Sequence, residues 1–286
     1  MKLLKWNIHE RLPAVTLMKI STLARTGLSA LLMSVIGHSS FGADPKVQPI
    51  APIRRTYTET FDNGPGGWYA DRKYALPVWD GVAYCFSPWW LDANHAPPGG
   101  GYLHLLMWMD TIKSAYEGKE DVIKMMPYVG NRFADQNYSR DFTNVRLTVR
   151  MRGEVDLKGA QILILVQSET PKTTVNLVLS GQPFKLTKDW SEQTVILKPD
   201  PKQWTCLGSR HDMTKEYGCD DVATVLKDVN LDIIFVLFPV KSVPASPQIT
   251  EADINRLRAV QDYPVLQDAL PKGLIMFDSI KIEYPD

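Results

Sequence analysis

The chain has 286 residues, of which 44% are hydrophobic and 22% are charged. These values are ordinary for a soluble globular protein and provide enough apolar material for a core. The 32 basic and 32 acidic residues cancel to a formal net charge of +0. No basic block or stripe stands out, so nucleic acid is not an expected partner.

The N-terminus has the pattern of a secretory signal peptide. Two basic residues precede a short apolar run at 28–36, and small residues follow up to Gly42. This pattern predicts cleavage after Gly42, with Met18 as an alternative start, and export to the periplasm or the extracellular space. The apolar run is too short to span a bilayer, so no stable membrane anchor is expected after cleavage. The predicted organisation is a signal peptide at 1–42, an extended proline-rich leader at 43–55 and one domain at 56–286.

Strand-like patterns recur through that domain in chain order. The predicted strands are 55–61, 78–86, 102–109, 144–152, 161–167, 173–179, 193–197, 231–240 and 274–284. Apolar residues at helical spacing predict two short helices, 220–229 and 250–260. Many short strands with frequent Gly and Pro turns predict an all-β fold. We expect an antiparallel β-sandwich of the jelly-roll type, with one or two short helical excursions.

Two of these strands predict which side chains share a face. In 144–152 the apolar residues alternate with Arg146, Thr148, Arg150 and Arg152. Such an arginine-lined face is either a solvated surface with acidic neighbours or a surface that contacts a ligand. In 274–284 strict alternation places Phe277 and Ser279 on one face and Asp278 and Ile280 on the other.

The three cysteines are compatible with an exported protein. Cys206 and Cys219 flank a polar loop and form the natural disulfide pair. Closing a loop of this length contributes about 3 kcal/mol in the chain-entropy model. Cys85 lies in an apolar run and is predicted to be a buried thiol.

Residues 87–104 combine paired tryptophans, two histidines and a Pro-Pro-Gly-Gly-Gly segment. Aromatic side chains with polar tips, next to stiff prolines and permissive glycines, are typical of a ligand-recognition loop. The alternative is a buried corner whose polar groups are satisfied by nearby backbone. The candidate ligand-binding residues here are Trp89, Trp90, Asp92, Asn94 and His95, to which the predicted arginine face adds Arg146 and Arg150.

The two ends of the domain resemble a known superfamily. Residues 58–68 and 273–283 look like the opening and closing strands of galactose-binding-like jelly rolls, and 189–195 resembles their late segment in which a Trp precedes a strand. This superfamily includes many carbohydrate-binding modules. The resemblance implies a structural calcium ion that joins the first and last strands, with Glu59 and Asp278 at the matching positions. The alternative is two carboxylates on a solvated strand surface.

These patterns together predict a secreted protein that binds a poly- or oligosaccharide, without an organic cofactor. A glycan-cleaving enzyme on the same fold is the main alternative. For a polysaccharide lyase the candidate catalytic residues are His95, His104, Tyr102 and Arg150. A glycoside hydrolase needs two carboxylates near one bond, and Asp92 has no evident partner in the sequence. A structural or interaction protein is the third reading.

Overall fold

The structure is a computed structural model that describes residues 56–71, 74–92, 102–112, 131–209, 215–240 and 270–286. All of these belong to the compact unit Ile50–Asp286. The predicted signal peptide and leader, the helix predicted at 250–260, and Asn94 and His95 lie outside the described residues.

The described residues form fifteen strands and a few short helices. The first seven strands are β1 (Tyr57–Glu59), β2 (Trp68–Asp71), β3 (Tyr74–Ala75), β4 (Val78–Trp79), β5 (Val82–Phe86), β6 (Trp90–Asp92) and β7 (Tyr102–Asp110). The next four are β8 (Arg146–Asp156), β9 (Gln161–Glu169), β10 (Thr174–Val178) and β11 (Ser191–Ile196). The last four are β12 (Thr205–Cys206), β13 (Tyr217–Gly218), β14 (Asp232–Val240) and β15 (Lys272–Glu283).

The helices are α1 (Arg132–Asp135), α2 (Val222–Lys227) and a 3-10 turn at Pro201–Gln203. Helix α2 confirms the short helix predicted at 220–229. Its N-cap is Asp221, whose side chain accepts hydrogen bonds from the backbone N–H groups of Ala223 and Thr224. In the described part of the chain, no helix has the length and apolar character that a membrane crossing requires.

The strands pair into two sheets that pack around a shared apolar core. The six-stranded sheet has the order β11-β8-β15-β5-β4, and β1 pairs with β15. The nine-stranded sheet has the order β12-β10-β9-β14-β7-β2-β3, with β13 on β10 and β6 on β7. Strand pairing is antiparallel apart from the short parallel contact of β13 with β10. The predicted all-β antiparallel sandwich with few helices is therefore confirmed.

The nine-stranded sheet is apolar on both faces. In β9, Ile162, Ile164 and Val166 face the core between the sheets, whereas Leu163 and Leu165 belong to a second apolar cluster on the outer face. This confirms that 161–167 is a strand buried on both sides. The six-stranded sheet differs, because its outer face carries mostly polar and aromatic side chains.

A bulge in β15 corrects the alternation predicted for this strand. Register with β8 is continuous up to Phe277, and Ser279 then pairs with Arg150, so that a register shift falls at Asp278. As a result Phe277 and Ile280 are both buried, and Asp278 and Ser279 are both partly exposed. A bulge adds one residue to a strand and thereby reverses the phase of every residue that follows.

A disulfide joins Cys206 and Cys219, as the sequence predicts, with a Cα–Cα distance of 6.0 Å. It links β12 to the residue that follows β13, and both short strands pair with β10. Cys85 is a buried free thiol, and burial raises its pKa well above the ordinary value. It is therefore inert as a nucleophile. Disulfides persist in oxidising compartments, so the bridge indicates a location outside the cytoplasm.

Replacing both bridge cysteines, Cys206→Ser with Cys219→Ser, is expected to lower the free energy of unfolding by about 3 kcal/mol. The reason is that the bridge closes a loop with a sequence separation of 13 and so restricts the unfolded chain. Urea denaturation measures the change. Dithiothreitol should destabilise the native chain by a similar amount and leave the double variant unaffected. Equal stability of the two proteins would contradict this account.

Candidate functional site

The residues predicted to form a recognition loop are divided between the two faces of the nine-stranded sheet. Trp89 faces the core between the sheets and is 7% exposed. Trp90 lies opposite Leu105 and packs against the outer apolar cluster. Asp92 is buried on the same side, opposite Leu103. The paired tryptophans therefore do not form one platform.

His104 is a core residue. It is 2% exposed, and its ring centroid lies 6.1 Å from that of Trp89. Burial lowers the pKa of its imidazole, an effect that the backbone of Trp90 and Trp89 only partly offsets. Because the imidazole is enclosed, a bound polymer cannot reach it, and His104 does not have the access that the predicted catalytic role requires. Tyr102 begins β7, next to the undescribed part of the segment.

The predicted arginines belong to the other sheet. Arg146 and Arg150 lie on β8, where Leu147 and Val149 point into the core and the arginines point outward. His104 lies on the nine-stranded sheet and faces inward, and Trp89, which directly precedes β6, packs in the core between the sheets. The described candidates therefore do not form one site.

The outer face of the six-stranded sheet carries an aromatic and cationic cluster instead. Trp190 directly precedes edge strand β11, and its ring centroid lies 5.1 Å from Arg150 Cζ and 4.7 Å from Arg152 Cζ. Both distances are within the range of cation–π contacts. Arg150 Nη1 also pairs with Asp278 Oδ1 at 2.8 Å. The bulge in β15 places Asp278 on this face, beside Arg150.

The cluster continues across the sheet toward β4. In register, Arg152 lies opposite Met276, which lies opposite Tyr84. At the far edge Trp79 is 76% exposed and Phe86 is 58% exposed. We call this surface the Trp190 face; it comprises Trp79, Tyr84, Phe86, Arg150, Arg152, Trp190, Met276 and Asp278. Exposed aromatic side chains of this size on one face are typical of a binding surface.

The charges around the Trp190 face are mixed and mostly exposed. Glu192 lies opposite Arg150 on β11, and Lys188 pairs with Glu154 at 3.2 Å. Arg146 is on the same side of the sheet but lies four residues before Arg150, or about 13 Å along the strand. Arg146 is therefore peripheral to the cluster, although the sequence ranks it equally with Arg150.

Sequence reasoning missed the aromatic half of this face. Trp190 enters only through the resemblance of 189–195 to a Trp-then-strand segment, and Trp79 and Phe86 were read as parts of a strand. The signal that the sequence did contain is the presence of large aromatic residues at outward positions on or beside predicted strands. Strand order, which the sequence does not reveal, was needed to use it.

Glu59 and Asp278 do not share one site. Glu59 is fully buried opposite Ile280, on the inner side of the six-stranded sheet. Asp278 points outward and is paired with Arg150. Two carboxylates on opposite faces of one sheet do not fit the shared calcium ion that the resemblance implies. Among the described residues, no cluster of three or more His, Cys, Asp and Glu side chains has the arrangement of a metal site.

Glu59 is compensated by protein groups. Phe61 N–H donates to Glu59 Oε1 at 3.0 Å, and Arg132 Nη1 lies 3.4 Å from the same oxygen. Tyr57 Oη donates to Glu59 Oε2 at 3.4 Å, and Trp68 Nε1 donates to Tyr57 Oη at 3.2 Å. Burial raises the pKa of Glu59, and the Phe61 backbone and the Arg132 charge oppose that rise. Arg132 thus supplies, from α1, a positive charge next to the buried Glu59 carboxylate.

Arg132→Gln is expected to lower the free energy of unfolding by about 1–3 kcal/mol, because it leaves a buried carboxylate without its cation. EDTA should leave the melting temperature of the native chain unchanged. Both are measured by thermal and urea denaturation. Arg132→Lys, which retains the charge, serves as the matched control and should lose less. A fall in melting temperature with EDTA that calcium reverses would show instead that a cation stabilises the chain.

A second pair of carboxyl groups is buried on the outer face of the nine-stranded sheet. Asp110 ends β7 and Asp232 begins β14; the two are register partners and each is 7% exposed. Gln167 of β9 lies opposite Asp232 in the same row. Burial, followed by the charge of Asp232 and a hydrogen bond to it, raises the pKa of Asp110 far above the ordinary range. Two carboxyl groups buried this close together do not both ionise at neutral pH, so the pair shares one proton.

Asp110→Asn is expected to stabilise the fold increasingly as pH rises. An acid whose pKa is raised by folding contributes stability below its unfolded pKa and loses it as pH rises toward the folded pKa. The native chain should therefore lose up to about 1.4 kcal/mol per pH unit above pH 5 through this group, and the amide variant should not. Urea denaturation between pH 5 and 9 measures the difference. A difference that is constant with pH would contradict a shared proton.

Comparison with known proteins does not identify a family. No protein-family model and no curated protein matches the chain. Among solved structures, the L4b domain of human laminin alpha-2 is 10% identical with a TM-score of 0.24, and the match covers 51% of this chain and 62% of that one. A chain from work on endo-acting O-glycanases with which the human gut microbiota initiate mucin breakdown is 11% identical, with a TM-score of 0.32 and coverages of 80% and 99%. Similarity at this level carries no conclusion about function.

Proposed function

We propose that the chain is an exported carbohydrate-binding β-sandwich protein that holds a poly- or oligosaccharide on the Trp190 face. The observation that carries the proposal is the arrangement of exposed and half-buried aromatic rings beside two arginines on one open sheet face. Flat apolar rings can stack on the apolar faces of sugars, and guanidinium N–H groups can donate to hydroxyl or carboxylate oxygens.

The position of Trp190 supports this role. Its ring lies against the guanidinium groups of Arg150 and Arg152, so the contact holds the indole close to the sheet surface. The ion pair with Asp278 holds Arg150 in turn. A platform that is ordered before the ligand arrives loses less conformational entropy on binding. Trp79 and Phe86, at the opposite edge, extend the aromatic surface across the width of the sheet.

A glycan-cleaving enzyme is a second proposal for the same face. Asp278 and Glu192 lie on the two strands that flank Arg150. Glycoside hydrolysis uses two carboxyl groups on either side of the scissile bond. Because neighbouring strands are about 4.8 Å apart and β8 lies between β11 and β15, carboxylates on these two strands are about 9.6 Å apart, close to the upper limit for an inverting glycosidase. The functional test therefore scores products as well as binding.

Trp190→Ala is expected to weaken retention on a bound polysaccharide by at least about tenfold, because it removes the central aromatic platform. Affinity electrophoresis against a panel of neutral and uronic-acid polysaccharides measures this effect. Trp190→Phe, which retains a ring, should keep most of the affinity. Lys202→Ala, at the 3-10 turn away from this face, is the surface control and should bind as the native chain does.

The same panel separates the alternatives. Retention without new reducing or unsaturated ends supports a binding protein. Product that disappears in Glu192→Gln or Asp278→Asn, with the melting temperature preserved, supports the enzyme. If the chain neither binds nor cleaves any polysaccharide of the panel, both proposals are wrong, and the third interpretation, an interaction protein, remains.

A further inference from the structure

The guanidinium groups of the three arginines on the outer side of β8 differ in their partners and in their exposure. Arg150 is paired with Asp278 at 2.8 Å. Arg146 is exposed, so water satisfies its donors. Arg152 is half-buried beside Trp190, and its Nε is buried without a hydrogen-bond partner. Arg152 is thus the member of this row whose donors neither the protein nor bulk water fully satisfies.

No described carboxylate forms an ion pair with Arg152. The acidic side chain nearest along the strand, Glu154, is paired with Lys188. Asp278 is paired with Arg150, and Glu192 lies opposite Arg150 in the adjacent row. The aromatic ring of Trp190 compensates a guanidinium charge only in part, because a cation–π contact is weaker than a desolvated ion pair.

A buried donor without an acceptor is costly, and one in a native structure is expected to have a reason. The fork of a guanidinium group matches the two oxygens of a carboxylate. The guanidinium of Arg152 covers one face of the Trp190 ring, with Cζ 4.7 Å from the ring centroid. A sugar that stacks on the other face would direct a substituent past the edge of the ring toward Arg152. Because Nε itself is enclosed, a ligand carboxylate would reach this guanidinium through its two terminal Nη groups.

We infer that the glycan bound at the Trp190 face is acidic and that Arg152 receives the carboxylate of one uronic-acid residue. This inference rests on the proposed carbohydrate-binding function and adds the chemical class of the ligand. In this arrangement Trp190 holds the sugar ring, Arg152 recognises the acid, and the Arg150–Asp278 pair positions Trp190 from the neighbouring row.

The test compares galacturonate and mannuronate oligosaccharides with their methyl esters, which have the same backbone without the charge. Isothermal titration calorimetry on the full chain should show at least one acid bound about tenfold or more tightly than its ester, as expected for a charged hydrogen bond. Arg152→Gln should reduce the affinity for that acid to the level of the ester and change the affinity for the ester by less than about twofold. Arg152→Lys retains the charge without the fork, so its affinity for the acid should lie between those of the native chain and Arg152→Gln.

Arg146→Gln is the matched control, because it removes the same charge from the same strand and face. It should leave most of the preference for the acid intact. Dextran and dextran sulfate are a second pair of ligands. Dextran sulfate is a polyanion without carboxylates, so a preference for it would indicate a general electrostatic effect. Thermal unfolding verifies that each variant is folded.

The outcomes separate the inference from the proposed function. Equal affinity for acid and ester, or equal losses of preference in Arg152→Gln and Arg146→Gln, overturns the acidic ligand but leaves carbohydrate binding in place. Tighter binding to dextran sulfate than to either uronate also overturns it. Absence of binding to every oligosaccharide, in the native chain and in the variants alike, overturns the proposed function and the inference together.

Discussion

The register between β8 and β15 is the constraint on which the exposed surface of this protein depends. Side chains in a strand alternate between two faces, so the burial of Leu147, Val149 and Met151 obliges the arginines between them to point outward. A slip of one residue would place three guanidinium groups in hydrocarbon. The bulge at Asp278 then lets Phe277 and Ile280 both face the core, while a carboxylate reaches Arg150 on the outside.

The two sheets differ in which of their faces are buried. The nine-stranded sheet has buried apolar side chains on both faces. The six-stranded sheet buries only one face and leaves the other to water, with aromatic and charged side chains in alternate rows. A recognition surface requires accessible rings and donors, so among the described surfaces the outer side of the six-stranded sheet suits that purpose. The indoles and imidazole predicted to bind a ligand instead contribute to packing.

Buried carboxyl groups are accommodated here in two different ways. Glu59 is paired with a cation, Arg132, and receives hydrogen bonds from Tyr57 and the Phe61 backbone. Asp110 and Asp232, on two neighbouring strands, instead share one proton. Both solutions avoid an uncompensated buried charge, which is among the costliest features a fold can contain. The pairing of Glu59 with Arg132 also explains why a carboxylate near the start of the domain need not indicate a metal ion.

Most of the strands, the sandwich class and the disulfide could be predicted from the sequence alone. Periodicity identified β8, β9, β14 and α2 because local alternation and capping depend on neighbouring residues alone. The same local rules failed at β15, since a bulge follows from the packing of Ile280 and Ile282 against the partner sheet and leaves no mark in the alternation.

Which residues share a surface depends on strand order and could not be predicted from the sequence. The sequence grouped Trp89, His104 and Arg150 by chemistry, but sheet order separates them. Conversely, Trp190 and Arg152 are distant in sequence and become neighbours because β11 pairs with β8. A strand carries information about its two faces, but not about the strand that lies beside it, because pairing is fixed by contacts between residues far apart in the chain.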